Sequence, residues 1–213
     1  MKQNKLIIFD FDGVILDSFE VAFSILSKLN KKYGLFPLEE REHLEDLFEG
    51  NVWENYEKMG LKGKIKKSFT EEFKQEYQKK KKELKFYSNI SSLLKKISRR
   101  FTLAIISSNH SSSIKGLLQK NKLDGYISSI LGAEMVGNKK KKIGFILDKL
   151  KITPNNTYFV SDTTGDIIEA KETNIHTIGV TWGYHSFERL EKSKPDKIVN
   201  AVKELESYLY ATG

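Results

Sequence analysis

The sequence predicts an α/β protein: a doubly wound, Rossmann-like parallel sheet with an all-helical module inserted near its start. Three observations lead there. A short apolar run, Leu6-Ile-Ile-Phe9, opens the chain and ends in Asp10-Phe-Asp12-Gly13, the pattern of a strand buried on both faces with a polar carboxyl end. Residues 17–86 show helical periodicity only. From Tyr87 onward, short apolar runs alternate with helical stretches, as βαβ units of a parallel sheet do. The expected core is therefore 1–16 with 87–213, and the expected insert is 17–86.

Each element follows in order. Asp17-Ser18 supplies a helix start, and Ala22, Ile25, Leu26, Leu29 and Tyr33 recur at helical spacing until Gly34 ends the helix before Pro37. Leu44, Leu47 and Phe48 make a short apolar stripe; Val52, Trp53, Tyr56 and Met59 make another, stopped by Gly60. Ile65, Phe69, Phe73 and Tyr77 line a longer charged helix running toward Leu84. No strand is expected between Asp17 and Phe86. Beyond it, Ile90, Leu93, Leu94 and Ile97 predict a helix, and Phe101 to Ile106 a buried strand. Ile114, Leu117 and Leu118 predict a helix, and Tyr126 to Leu131 a short strand. Ile143, Ile146, Leu147 and Leu150 predict the next helix, Thr157 to Val160 the next strand. A helix over about 167–172 leads into the strand His176 to Val180. Right-handed crossovers then gather the strand ends on one edge of the sheet.

Composition narrows the function classes. A chain of 213 residues can bury one core, or a core with a small insert, and 39% hydrophobic with 11% aromatic residues excludes a disordered chain. The absence of cysteine removes disulfides, thiolate metal sites and a cysteine nucleophile, and suits a reducing, cytoplasmic location. No apolar run is long enough to span a bilayer, and the N-terminus carries no signal-peptide pattern. The formal charge of +8 invites nucleic acid as a partner. Much of the excess, however, lies in two lysine runs, 79–82 and 139–142, without interleaved aromatic residues to stack on bases. No specific nucleic-acid partner and no membrane partner is expected.

Chemistry concentrates at the predicted strand ends. The first delivers Asp10 and Asp12. The strand ending in Ser107-Ser108-Asn109 delivers a hydroxyl at a turn entering a helix. The strand Tyr158-Phe-Val-Ser-Asp162-Thr-Thr-Gly-Asp166 delivers two more carboxylates, and Lys139 stands just before the helix leading into it. Taken singly, Ser107 reads as a helix cap, Asp162 as a turn former and the lysines as a solvated helix start. Four carboxylates, a hydroxyl and a lysine on one edge are harder to explain by structure alone, since the carboxylates repel unless a cation or phosphoryl group completes the set. His43, His110, His176 and His185 are scattered without metal-ligand spacing. Trp53, Tyr56, Trp182 and Tyr184 read either as packing or as cleft borders.

These four pieces resemble the four motifs of the haloacid dehalogenase superfamily, in order and over essentially the whole chain. The inserted helices are similar to that family's helical cap, and the run from Phe159 to Gly183 looks most like its phosphoglycolate-phosphatase-like branch. The resemblance implies a magnesium-dependent phosphatase acting on a small phosphorylated metabolite. It implies Asp10 as the nucleophile that forms an aspartyl-phosphate, and Asp12 as general acid and base. Ser107, the Ser108 N–H and Lys139 would hold the phosphoryl oxygens. Asp10, Asp12, Asp162 and Asp166 would serve the Mg2+, directly or through water. The lysine motif departs from the family's frequent Lys-Pro form, so Lys140 stands as the alternative to Lys139, while Lys141 and Lys142 are expected on a solvated face. Gly13 and Gly165 are expected to permit turns beside the phosphate. A β-phosphoglucomutase-like mutase, or a silent binding protein of the same fold, are the other readings. The substrate and oligomeric state stay open.

Overall fold

In the computed structural model, which describes residues 4–212, eight strands and ten α-helices follow the expected alternation. The strands are β1 (Leu6–Phe9), β2 (Leu16–Asp17), β3 (Lys85–Phe86), β4 (Thr102–Ile106), β5 (Ser129–Leu131), β6 (Thr157–Ser161), β7 (His176–Val180) and β8 (Lys197–Val199). Four helices lie between β2 and β3: α1 (Phe19–Tyr33), α2 (Arg41–Leu47), α3 (Val52–Lys58) and α4 (Gly63–Lys80). The remainder are α5 (Ile90–Ile97), α6 (Ser111–Lys120), α7 (Lys139–Leu150), α8 (Thr164–Lys171), α9 (Phe187–Lys192) and α10 (Val202–Thr212).

Six strands form one sheet in the order β5-β4-β1-β6-β7-β8, with every pairing parallel. The period of two along β1 divides its side chains between two cores. Ile7 and Phe9 join Leu103, Ile105 and Val160 under α5, α6 and α10. Leu6 and Ile8 join Ala104, Ile106 and Phe159 under α7 and α8. Each side chain of this size contributes roughly 1.5–3 kcal/mol by leaving water, and a sheet covered on both faces explains the unbroken apolar runs in the sequence. After β1 the chain crosses to β4 on one side and later to β6 on the other. The carboxyl end of β1 is therefore the topological switch point, where sheets of this kind bind ligands.

Three details differ from expectation. β2 and β3 pair antiparallel, Leu16 with Phe86 and Asp17 with Lys85, so the stretch expected to lack strands closes in a short ribbon. These strands are too short to show a period. Ile65 is 56% exposed and lies off the buried stripe of α4; Phe69 fills that place, packing on Tyr33 and Tyr56 at centroid distances of 5.3 and 5.0 Å. The strand expected from Tyr126 begins only at Ser129, because Asp124–Tyr126 forms a 3-10 turn first. Gly34 does end α1, in the left-handed conformation at φ 65° that glycine adopts without steric cost.

Candidate active site

The backbone of Asp10 continues the ladder of β1, its N–H donating to the Val160 carbonyl at 2.9 Å. Its side chain is thereby fixed at the sheet edge, where Oδ1 accepts from the Phe11 N–H at 2.7 Å. Two residues on, Gly13 turns the chain at φ 74°, and a Cβ there would stand 1.8 Å from Asp162 Oδ2. Only glycine lets these strand ends approach so closely. Asp12 is held at both oxygens: Tyr77 Oη donates to Oδ1 and Asn109 Nδ2 to Oδ2, each at 2.7 Å.

From β4, the buried Ser107 presents a hydroxyl that accepts from the Asn109 N–H at 3.0 Å, while Ser108 is exposed on the rim of the same cavity. From β6, Asp162 is buried with Oδ2 accepting from the Tyr184 N–H at 2.8 Å. Asp166 sits in the first turn of α8, where the helix dipole favours an acid.

Lys139 opens α7 after Asn138, whose side chain accepts from the Lys141 N–H. Its Nζ lies 2.8 Å from Asp10 Oδ1, 3.0 Å from Asp166 Oδ2 and 3.2 Å from the Ile106 carbonyl. Lys140 points outward and pairs with Glu172 at 2.9 Å. Of the two lysines left open by the sequence, Lys139 is the one whose ammonium stands among the carboxylates. Lys142 corrects an expectation. It is 4% exposed, not solvated, and its Nζ donates to the carbonyls of Ser107 at 2.8 Å and Gly132 at 2.9 Å. The helical period puts 139 and 142 on one face, a relation that four identical residues in a row conceal.

The electrostatics follow from burial among like charges. Burial pushes the Asp10 carboxyl well above its ordinary range; Lys139 opposes this, while Asp166 and Asp162 add to it. Burial likewise raises Asp12, against the hydrogen bonds from Tyr77, Ser18 and Asn109, and raises Asp162 to about 7. Asp166 is pulled below its ordinary value, since Lys139 and its hydrogen bonds outweigh burial. Burial would lower the Lys139 ammonium, but Asp10 and Asp166 outweigh it and hold it charged. Lys142 is lowered by burial, with repulsion from Lys139 adding.

One buried side-chain atom among the described residues has no hydrogen-bond partner, Asp162 Oδ1. A buried carboxylate oxygen left so is costly, and its hard-oxygen character beside Asp10 and Asp12 fits a divalent cation such as magnesium. Among the described residues no three His, Cys, Asp or Glu side chains form a ready metal cage. Such an ion would take further ligands from water, backbone and substrate, as magnesium does.

The sequence did not mark Tyr77, Asn109 or Lys142 as part of this cluster. Tyr77 ends an apolar helical stripe and reads as core. Asn109 follows the strand end directly and was the most discoverable of the three. Gly165 serves close approach rather than a phosphate turn: a Cβ there would meet the Gly50 Cα at 2.6 Å. Ser18 makes no side-chain cap on α1; its hydroxyl lies 3.3 Å from the Tyr184 hydroxyl. Tyr184, Trp53 and Tyr56 line the cavity, whereas Trp182 donates from Nε1 to the Val14 carbonyl at 3.2 Å. The cavity enclosed by these elements measures about 390 Å³, within the range of small-molecule sites.

The class this fold and site define is a hydrolase with an acidic strand-end centre. The family profile of haloacid dehalogenase-like hydrolases matches residues 7–180, and the chain belongs to that family. A phosphoglycolate phosphatase of Aquifex aeolicus is 30% identical over 188 residues, covering 84% of this chain and 86% of that protein. A phosphoglycolate phosphatase of Vibrio vulnificus is 26% identical over 217 residues, covering 96% and 95%. In fold, the chain superposes on a predicted phosphatase from Clostridium acetobutylicum with a TM-score of 0.84, 23% identity, and coverage of 97% and 98%. Among the described residues, no helix is long and apolar enough to cross a membrane.

Proposed function

We propose that this haloacid dehalogenase-like phosphatase hydrolyses small phosphate monoesters through an aspartyl-phosphate on Asp10. The observation that carries this reading is the Lys139 ammonium set between Asp10 at 2.8 Å and Asp166 at 3.0 Å, with Asp12 two residues from the nucleophile.

Asp10 attacks phosphorus as the ester P–O bond breaks, and Asp12 gives its proton to the leaving alcohol oxygen. Asp12, now a carboxylate, takes a proton from water as that water attacks phosphorus, releasing orthophosphate and restoring Asp10. Tyr77 and Asn109 hold Asp12 throughout. Lys139, the Ser107 hydroxyl and the Ser108 N–H receive the phosphoryl oxygens, where preorganised donors stabilise developing charge. Asp10, the Asp12 carbonyl and Asp162 would hold a magnesium ion, with Asp166 close by, and its positive charge would let a dianionic ester approach a carboxylate.

Residues 17–86 act as a mobile cap over this centre, with the crossings near Leu16 and Tyr87 as hinges. A cavity of about 390 Å³ roofed by these residues favours a small phosphorylated metabolite over a phosphoprotein or nucleic-acid end. The test is phosphate release from a panel of phosphorylated metabolites with and without magnesium. Turnover in excess chelator, or efficient turnover of a phosphoprotein, would contradict this reading.

A further inference from the structure

The cavity has two unlike walls. Its ionisable carboxylates and ammoniums come from the sheet side: Asp10, Asp12, Lys139, Lys142, Asp162 and Asp166, with Glu169 behind them. The facing wall, from residues 17–86, is built from Leu26, Phe48, Val52, Trp53, Phe73 and Tyr77. That stretch is rich in lysine, yet no Lys, Arg or His from it lines the cavity.

The polar side-chain atoms on the facing wall carry no charge, and three of them are already engaged. The Tyr77 hydroxyl donates to Asp12 at 2.7 Å, and the Tyr56 hydroxyl donates to Asn30 Oδ1 at 2.9 Å. Asn51 Oδ1 caps α3, accepting from the Trp53 and Glu54 N–H groups. The two cations belong to the phosphoryl end: Lys139 lies between Asp10 and Asp166, and Lys142 is tied to the Ser107 and Gly132 carbonyls. A carboxylate on the leaving alcohol would be stripped of water against hydrocarbon, with no cation to meet it. A sugar would lose hydration at several hydroxyls for few partners. A ring, by contrast, meets two aromatic pairs, Trp53 with Tyr56 at 6.1 Å and Phe73 with Tyr77 at 5.8 Å, and aromatic contacts of this kind add to simple area burial.

We infer that the alcohol moiety of the substrate is uncharged and ring-bearing, and that esters carrying a carboxylate, phosphoglycolate among them, are poor substrates. This rests on the phosphatase reading above and goes beyond it by naming the substrate class.

The experiment compares kcat/KM of the magnesium-loaded full chain for benzyl phosphate and 2-phosphoglycolate, both esters of alkyl alcohols. The expected preference is about 100-fold or more for benzyl phosphate, the scale at which an unmatched charge in a pocket is rejected. Leu26→Arg places a cation in the apolar wall and should shift the ratio toward phosphoglycolate by about 10-fold or more, and Trp53→Ala should lower the benzyl preference by about 10-fold. Phosphoglycolate turned over as well as benzyl phosphate by the unaltered chain would overturn the inference while leaving the phosphatase reading in place. Release of phosphate from neither ester, nor from a generic aryl phosphate, would overturn both.

Discussion

Lys142 donates from Nζ to the Ser107 carbonyl at 2.8 Å. A second bond, to Gly132 at 2.9 Å, makes this ammonium a tie between the loops that follow β4 and β5. The same loops meet again where the Ala133 N–H donates to the Asn109 carbonyl at 2.8 Å. Ser107 and Asn109, which line one cavity with Asp10 and Asp12, therefore stand on a loop fixed from behind.

Lys142→Ala should destabilise the fold by about 2 kcal/mol, because it takes the ammonium donor from the Ser107 carbonyl in a buried place and leaves Gly132 only the Met135 N–H at 3.3 Å. Lys141→Ala, on the exposed side of the same helix turn, should change stability by less than about 0.5 kcal/mol. Urea unfolding of both variants measures this, and equal effects would mean that Lys142 is not the tie.

Asp10→Asn keeps the volume of the side chain and removes the proposed nucleophile. Turnover should vanish while the unfolding transition persists. Peptide mapping after a quench with labelled ester should place phosphate on Asp10 in the unaltered chain. Label on a serine or histidine would remove the proposed mechanism.

Magnesium should raise Tm, because an ion that meets the unpartnered Asp162 Oδ1 binds the folded chain and not the unfolded one. Calcium should also raise Tm but should not support turnover, since it prefers more ligands and looser geometry. Asp162→Asn should abolish both shifts. A magnesium shift that survives this substitution would place the ion elsewhere.

Tyr77 reaches Asp12 from α4, so a residue outside the sheet holds the proposed acid and base. Its phenol stabilises the ionised carboxylate. Tyr77→Phe should therefore let Asp12 hold its proton to higher pH, moving upward the basic limb of the kcat/KM profile, where a general acid loses its proton. A lost hydrogen bond to a charged group corresponds to about tenfold or more in turnover. An unmoved profile would show that this bond is absent in the working enzyme.

The fold was legible because β1, β4, β6 and β7 are buried on both faces, and such strands announce themselves as apolar runs. β8 was not, since Lys197 to Val199 is a short edge strand half-exposed on the surface. The carboxylates were legible because charge at the end of an apolar strand has few structural explanations. Tyr77 and Lys142 were not. Each belongs to a helix whose local pattern has an ordinary reading, apolar stripe or lysine run, and only the tertiary packing turns it toward Asp12 or Ser107.

His185 is fully buried and joins two parts of the chain. Its Nδ1 accepts from the Thr164 N–H at 3.0 Å, at the start of α8, and its Nε2 lies 3.0 Å from the Glu45 carbonyl of α2. Both bonds are satisfied by the neutral ring with its proton on Nε2. A second proton, on Nδ1, would face the Thr164 N–H. Burial accordingly lowers the ring from 6.5 to about 4, with repulsion from Arg189 adding. The unfolded chain takes up this proton near pH 6.5 and the folded chain only near 4, so the stabilisation is complete above pH 6.5. It is lost progressively as pH falls toward 4 and changes no further below that. The span corresponds to a loss on the order of 3 kcal/mol. Urea unfolding at pH 7.5 and 4.5 should show the native chain losing more stability on acidification than His185→Gln, by about that amount. The variant should be the weaker of the two at pH 7.5, because glutamine cannot make both bonds from one place. Parallel losses in the two proteins would mean that the ring titrates freely and does not bind α2 to α8.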